Sequence, residues 1–261
     1  MTRYITGFDP STGIRFVLFV QLVMAGLLLA TNVFNTLSTV FTEPPVTQIG
    51  PVTPGDQTRD YRKDKRSPSL LHIEDPSAPS DFAVSPDQLT FSEQETEAFG
   101  RVLLLEGAIE QGDANRFDAF LSGVDRKPDL VALHSPGGSV SEAQAIGRLI
   151  RRKKLSTAVL ARANCLSSCP YILAGGQDRI VSLRAIIGMH QHYYEQPRYI
   201  PVMFAVEDIQ TNQGETMQFL IEMGIAPSLM LYSLKTPPEQ IYALIKEELV
   251  RTKLATEIVD D

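Results

Sequence analysis

Cysteine is scarce in this sequence, since Cys165 and Cys169 are the only two among 261 residues. A structural zinc site usually needs a second pair of ligands at a regular spacing. No second cysteine pair exists, and His134, His190 and His192 are not spaced as ligands around the first. We therefore expect no metal. The two cysteines would lie about 6 Å apart in a regular helix, so in an oxidising compartment they either form a disulfide or remain thiols.

Basic residues are too few for a general nucleic-acid binder. The sequence has 24 Lys and Arg against 31 Asp and Glu, which gives a formal net charge of −7. The basic run over residues 148–154 is typical of the C-terminal end of a helix, where cations offset the helix dipole. We therefore expect no nucleic acid among the partners.

A clear signal-peptidase site is missing after the first long apolar run, residues 16–30. This run and its weaker continuation provide the roughly 20 residues needed to cross a bilayer. Arg3 and Arg15 precede it, as in a cleaved signal peptide, but the lack of a small-x-small motif favours an uncleaved anchor at about 14–36. Because both arginines lie on its N-terminal side, we expect a single-pass inner-membrane protein with a periplasmic C-terminal part.

Apolar residues are sparse between residues 42 and 88, a range that holds 8 of the chain's 17 prolines. Such a composition cannot offset the entropy of ordering, and it predicts a flexible linker. We therefore expect an N-terminus and anchor over 1–41, a linker over 42–88 and a folded domain over 89–261. The hydrophobic content of 43% suffices for one core of about 150–200 residues.

Strand-like and helix-like segments alternate from about residue 91. This alternation predicts an α/β fold of stacked ββα units with a largely parallel sheet. The expected strands are 102–106, 130–133, 157–160, 180–181 and 186–189, and the expected helices are 113–121, 139–154, 167–173, 202–223 and 239–252, the last as one helix or two.

Three motifs carry the chemistry. The first is the Ser-Pro-Gly-Gly run over 135–138, which follows a strand and precedes a helix, so its backbone N–H groups can hold an anionic oxygen. The second is Ser167, at another strand-to-helix turn, and the third is His190, at the end of a strand. Each alone is more typical of a turn, a helix cap or a core histidine. Their combination is far more specific and indicates a nucleophile with a base.

These motifs resemble the Clp protease proteolytic-subunit family, within the broader crotonase-like superfold. The resemblance covers roughly residues 102–254. It is closest to a bacterial, membrane-anchored, outward-facing branch in which a Cys-x-Ser-x-Cys turn surrounds the serine, as Cys165 and Cys169 surround Ser167 here.

The resemblance implies roles for individual residues. Ser167 would attack a carbonyl and His190 would take its proton, while N–H groups of Gly137 or Gly138 and of Ser168 would form an oxyanion hole. Ser168 is the alternative nucleophile. His192 is the alternative base, but in an extended segment its ring faces away from that of His190.

The acidic member of the family's triad has no clear match. Thr236 or Pro237 stands where the aspartate is expected, Glu239 is close enough to substitute, and Asp208 is a weaker candidate. A threonine hydroxyl or a backbone carbonyl could also orient the imidazole, with less stabilisation of its charge.

The resemblance therefore implies a membrane-anchored serine peptidase that acts on peptides or proteins, needs no cofactor and assembles into homo-oligomers. Two alternatives stay open. One is a catalytically weak relative that serves as a binding or assembly module at the membrane, and the other is an acyl-CoA enzyme of the crotonase class. A Ser–Lys dyad with Lys153 or Lys154 is disfavoured, because these lysines fit a helix end.

Overall fold

The computed structural model describes residues 10–41, 53–61, 86–96, 99–192 and 202–260. The chain forms two compact units, one over residues 1–46 and the other over residues 47–261. The first unit contains helix α1, Pro10–Phe41. The second contains the remaining elements described below.

Helix α1 covers the range predicted as a membrane anchor. Its described apolar side chains are largely exposed, as at Phe16, Leu22 and Leu28. Within the described ranges, however, no helix is both long and apolar enough to span a bilayer.

A six-stranded sheet forms the centre of the second unit. Its strand order is β10-β7-β5-β4-β3-β2, and every neighbouring pair is parallel except β2 and β3. All residues of β4 are buried, as expected for a strand with both faces covered. The strands are β2 Thr90–Thr96, β3 Gly100–Glu106, β4 Leu130–His134, β5 Ser156–Val159, β7 Arg179–Ser182 and β10 Glu257–Val259.

A smaller sheet of four strands, in the order β1-β9-β8-β6, positions the candidate site. Here β6 and β8 are parallel, while β9 is antiparallel to both β8 and β1. The strands are β1 Thr58–Asp60, β6 Asn164–Leu166, β8 Ile186–Met189 and β9 Gln240–Ala243.

Helices pack around these sheets. Helices α3 (Val140–Lys153) and α4 (Cys169–Ala174) pack closely, since a Cβ placed on Gly175 would lie 2.3 Å from the Gly147 carbonyl oxygen. This contact fixes α4, which begins two residues after Ser167. The helices of the second unit are α2 Asp113–Gly123, α3 Val140–Lys153, α4 Cys169–Ala174, α5 Val202–Glu222, α6 Met230–Lys235 and α7 Lys246–Arg251, with a 3-10 turn at Pro227–Leu229.

The structure confirms the α/β class and most of the predicted elements, but the predicted helix over 239–252 is wrong. Gln240–Ala243 forms a strand, in which Ile241 and Ala243 are buried while Gln240 and Tyr242 are half-buried. This alternation has the period of a strand, and only the later part, Lys246–Arg251, is helical. Within the range predicted as a linker, Thr58–Asp60 forms strand β1 and pairs with β9.

Candidate active site

Ser167 lies in the sharp turn between β6 and α4. Its φ of +61° is left-handed, a conformation that serine rarely adopts, that costs about 1–3 kcal/mol and that persists only where the surroundings enforce it. The Ser167 N–H donates to the Gly188 carbonyl at 2.9 Å. A disulfide joins Cys165 to Cys169 across the turn, with their Cα atoms 5.1 Å apart. Of the two predicted states of these cysteines, the structure has the disulfide.

His190 follows β8 and faces Ser167. Its Nε2 lies 2.7 Å from the Ser167 Oγ, and its Nδ1 lies 2.9 Å from the Pro238 carbonyl oxygen. A carbonyl can only accept, so Nδ1 carries the proton and Nε2 is left to accept the serine hydroxyl. This is the tautomer that a general base requires.

The electrostatics of His190 favour the neutral base. Burial lowers the pKa of His190, and the hydrogen bond to the Pro238 carbonyl and the charge of Glu239 partly oppose that shift. The imidazole is only 5% exposed. It therefore remains unprotonated at neutral pH.

None of the three predicted third members bonds to the imidazole. The Thr236 hydroxyl donates to the Tyr232 carbonyl at 2.7 Å, while the Thr236 carbonyl accepts from the Gln191 N–H. Glu239 is exposed and acts on His190 only through its charge, and Asp208 is an exposed residue of α5. The orienting group is the Pro238 carbonyl instead. Sequence alone could not single it out, because every residue has a carbonyl.

The Ser-Pro-Gly-Gly turn lies against Ser167. A Cβ placed on Gly137 would be 2.5 Å from the Ser167 Cβ and 3.0 Å from the Ser168 nitrogen. The Gly137 N–H, however, donates to the Ser135 Oγ at 3.1 Å, and that hydroxyl donates to the Gly107 carbonyl at 2.7 Å. Gly137 therefore provides space rather than an oxyanion donor.

Two N–H groups, one in the Ser-Pro-Gly-Gly turn and one in the Ser167 turn, have no acceptor in the described part of the chain. Gly138 is fixed by its neighbours, because the Ile109 N–H donates to the Gly137 carbonyl and the Ser139 N–H to the Ile109 carbonyl, while its own N–H stays unbonded. The Ser168 N–H, at the start of α4, is likewise unbonded. Gly138 and Ser168 are the remaining candidate oxyanion donors.

The alternative nucleophile and base are disfavoured by their surroundings. Ser168 is fully buried, and its Oγ has no hydrogen-bond partner among the described residues. The His192 Nε2 bonds to the Tyr171 hydroxyl at 2.8 Å, and burial together with the nearby His190 lowers the His192 pKa to about 4. Lys153 and Lys154 are exposed at the end of α3.

Tyr61 is a site residue that the sequence did not reveal. Its hydroxyl donates to the Pro136 carbonyl at 2.7 Å, and its ring centroid lies 4.6 Å from that of His190. Burial raises the pKa of Tyr61 to about 12, and the nearby Ser167 side chain acts in the opposite direction. No signal in the sequence could have found it, because it lies in a proline-rich range beside a strand of only three residues.

A metal centre finds no ligand set here. Across residues 10–41, 53–61, 86–96, 99–192 and 202–260, no group of three or more His, Cys, Asp and Glu side chains could hold a metal ion.

Comparison with known proteins adds no identification. No protein-family model matches the chain, and no curated protein matches it in sequence. Its chemistry has to be inferred from Ser167, His190 and the groups around them.

Proposed function

We propose that this protein is a serine hydrolase of Clp-like, crotonase-type fold that cleaves peptides or proteins with a Ser167–His190 dyad. One observation carries the proposal. The His190 imidazole bonds to the Ser167 hydroxyl at 2.7 Å on one side and to the Pro238 carbonyl at 2.9 Å on the other. A purely structural role for His190 would not explain why a serine in a strained, left-handed turn lies at hydrogen-bonding distance from its ring.

The geometry supports an acyl-transfer sequence. Ser167 Oγ attacks the carbonyl carbon while His190 Nε2 takes its proton, and the carbonyl oxygen becomes an anion that the Gly138 and Ser168 N–H groups can bind. The imidazolium then gives that proton to the leaving amine as the C–N bond breaks. Water, deprotonated by His190, attacks the acyl-serine, and the proton returns to Ser167 as the acid product leaves.

The Pro238 carbonyl makes this a weakened version of a serine triad. It fixes the ring plane and the imidazole tautomer. An amide in place of aspartate keeps the geometry but selects the wrong tautomer, and that replacement costs about 10,000-fold in a model protease. The Pro238 carbonyl lacks a full negative charge, however, and so stabilises the imidazolium less. We therefore expect slow but measurable turnover. The lack of a carboxylate also favours a second candidate function, a weakly active binding module.

The fold and the disulfide support the wider proposal. The parallel strands and the two strand-to-helix turns that meet at Ser167 fit the Clp-like fold. A buried structural disulfide fits an oxidising compartment, so we place the domain in the periplasm. The N-terminal membrane anchor and the homo-oligomer remain part of this proposal, the first from the sequence and the second from the resemblance.

Labelling with a fluorophosphonate probe tests the proposed function. The probe should phosphonylate the wild-type chain with loss of fluoride, and mass spectrometry should place the adduct on Ser167. Ser167→Ala should abolish the adduct, and His190→Ala should slow it at least 100-fold. Ser228→Ala is the matched control, because Ser228 is exposed and lies outside the site. Equal labelling of wild type and Ser167→Ala would overturn the hydrolase proposal and leave the binding module.

A further inference from the structure

We propose that Tyr61 is a positioning residue of the active site, whose ring holds the His190 imidazole against Ser167 and whose hydroxyl holds the turn that carries the oxyanion donor. This inference rests on the proposed hydrolase function. It assigns a supporting role in catalysis to strand β1 and the residue that follows it.

Strand β1 fixes the backbone of Tyr61. Asp60 pairs with Gln240, and the Tyr61 N–H donates to the Glu239 carbonyl at 2.8 Å. Glu239 directly follows Pro238, whose carbonyl orients His190. Strand β1 therefore also holds the loop that supplies the orienting carbonyl, so the two supports of the imidazole are joined to each other.

The ring of Tyr61 covers the imidazole. The two centroids lie 4.6 Å apart at an interplanar angle of 60°, within the range of favourable aromatic contacts. This contact limits rotation of His190 about its side-chain bonds and excludes water from one side of the ring. The lowered pKa of His190, which arises mainly from burial, is consistent with such cover.

The hydroxyl of Tyr61 acts on the neighbouring turn. It donates to the Pro136 carbonyl at 2.7 Å, and Pro136 is one residue before Gly137 and two before Gly138. On the other side of the Pro136–Gly137 peptide, the Gly137 N–H is held by Ser135. The two bonds together fix the peptide that leads into the proposed donor at Gly138.

Occlusion of the nucleophile is the competing explanation of the same contacts, because Tyr61 lies close enough to the Ser167 side chain to influence its own pKa through it. Ser167 nevertheless remains half-buried rather than buried, so a carbonyl carbon still has access to it. A positioning role predicts that removal of the ring slows the reaction, whereas occlusion predicts that it accelerates the reaction. The sign of the effect therefore separates the two.

The test compares Tyr61→Ala, Tyr61→Phe and a control in the full chain. The readouts are the second-order rate of fluorophosphonate labelling between pH 4 and 9 and kcat and KM for p-nitrophenyl acetate. Tyr61→Ala should lower the labelling rate and kcat by about 10- to 100-fold with little change in KM. Tyr61→Phe keeps the ring and loses the bond to Pro136, so it should lose only several-fold. Thr58→Ala, an exposed change on the strand that precedes Tyr61, should have no effect.

The pH profile provides the readout that a structural role alone would not change. Among the described residues, the ionisable groups that influence or contact His190 are Tyr61 directly after β1, Glu239 before β9 and His192 two residues later. Because burial lowers the pKa of His190, exposing the imidazole should move the acid limb to higher pH, toward the ordinary value of 6.5. Tyr61→Phe should leave that limb in place.

The outcomes distinguish this inference from the proposed function. If wild type is labelled at Ser167 and Tyr61→Ala is labelled at the same or a higher rate, the positioning role is overturned and the hydrolase proposal stands. If wild type is not labelled at Ser167, the hydrolase proposal fails first. Should Tyr61→Ala not fold, as judged by thermal unfolding, Tyr61→Leu keeps apolar volume without the aromatic ring, and the same two outcomes apply to it.

Discussion

The Pro238 carbonyl oxygen accepts a hydrogen bond from the Nδ1–H of His190 at 2.9 Å. In a Ser-His-Asp triad a carboxylate has this place, where it fixes the imidazole and stabilises its charged form. A carbonyl performs the first task and only part of the second. The carboxylate of the next residue, Glu239, influences His190 through its charge.

Glu239→Gln tests this assignment directly. Burial is the main influence on the His190 pKa and lowers it, while the Glu239 charge raises it. Removing the charge should lower the pKa further, so the acid limb of the labelling rate should move to lower pH. At neutral pH we expect the rate to change by less than about threefold, since the base becomes only slightly weaker.

The size of that change is decisive. A loss near 10,000-fold in Glu239→Gln would identify Glu239 as the triad acid and contradict the role given to the Pro238 carbonyl. Asp208→Asn, an exposed change in α5, is the matched control and should leave both the rate and the pH profile unchanged.

The sequence predicted the elements that carry a strong local pattern. The helix over 139–154 appears as α3, Val140–Lys153, with Ser139 as its N-cap, because its apolar positions recur at helical spacing. The pairing of Ser167 with His190 was predictable because each residue ends or follows a strand at a recognisable turn.

The missed features all depend on distant chain segments. Strand β9 has only four residues, and its identity comes from pairing with β1 and β8. The carbonyl of Pro238 and the phenol of Tyr61 have no sequence signal, since a backbone acceptor is present everywhere and Tyr61 is far from His190 in the sequence. Tertiary contacts of this kind override local propensity.

Gly138→Ala should disable the oxyanion turn. A Cβ at this position would lie 2.1 Å from the Ile109 carbonyl oxygen, and the φ of +146° is unfavourable for any residue other than glycine. The turn must move, so we expect the labelling rate to fall by about 100- to 1,000-fold, as for loss of one oxyanion donor. Stability should fall by about 1–3 kcal/mol, measured by urea unfolding.

Gly214→Ala is the matched control for this change. Gly214 belongs to helix α5, and apart from that helix no atom of the described residues lies within 4 Å of a Cβ built there. The substitution should leave labelling unchanged and keep or raise stability by about 0.5–1 kcal/mol. A Gly138→Ala variant as active as Gly214→Ala would remove Gly138 from the proposed oxyanion hole.

Replacing both Cys165 and Cys169 by alanine should destabilise the domain and slow labelling. The disulfide closes a loop of sequence separation 4. A disulfide that closes a loop this short raises the free energy of the unfolded chain by about 2 kcal/mol, because it removes conformational entropy from that state. Because the bond spans the strained Ser167 turn, its loss should also let that turn relax, which we expect to reduce the labelling rate. Thermal unfolding of wild type and variant measures the first effect, and an unchanged labelling rate at a temperature where both are folded would contradict the second.

His192 should make the domain sensitive to mild acid. Burial and the neighbouring His190 lower the pKa of His192 to about 4, against 6.5 for an ordinary histidine. Between these values the unfolded chain binds a proton that the folded chain does not, so stability falls as the pH decreases from 6.5 to 4. The stabilisation at stake is at most about 3 kcal/mol. Urea unfolding of His192→Gln should give a flatter dependence over this window. If the free energy of unfolding had the same pH dependence in wild type and His192→Gln, the pKa of His192 would not be lowered by folding. The bond to the Tyr171 hydroxyl would then not require a neutral His192.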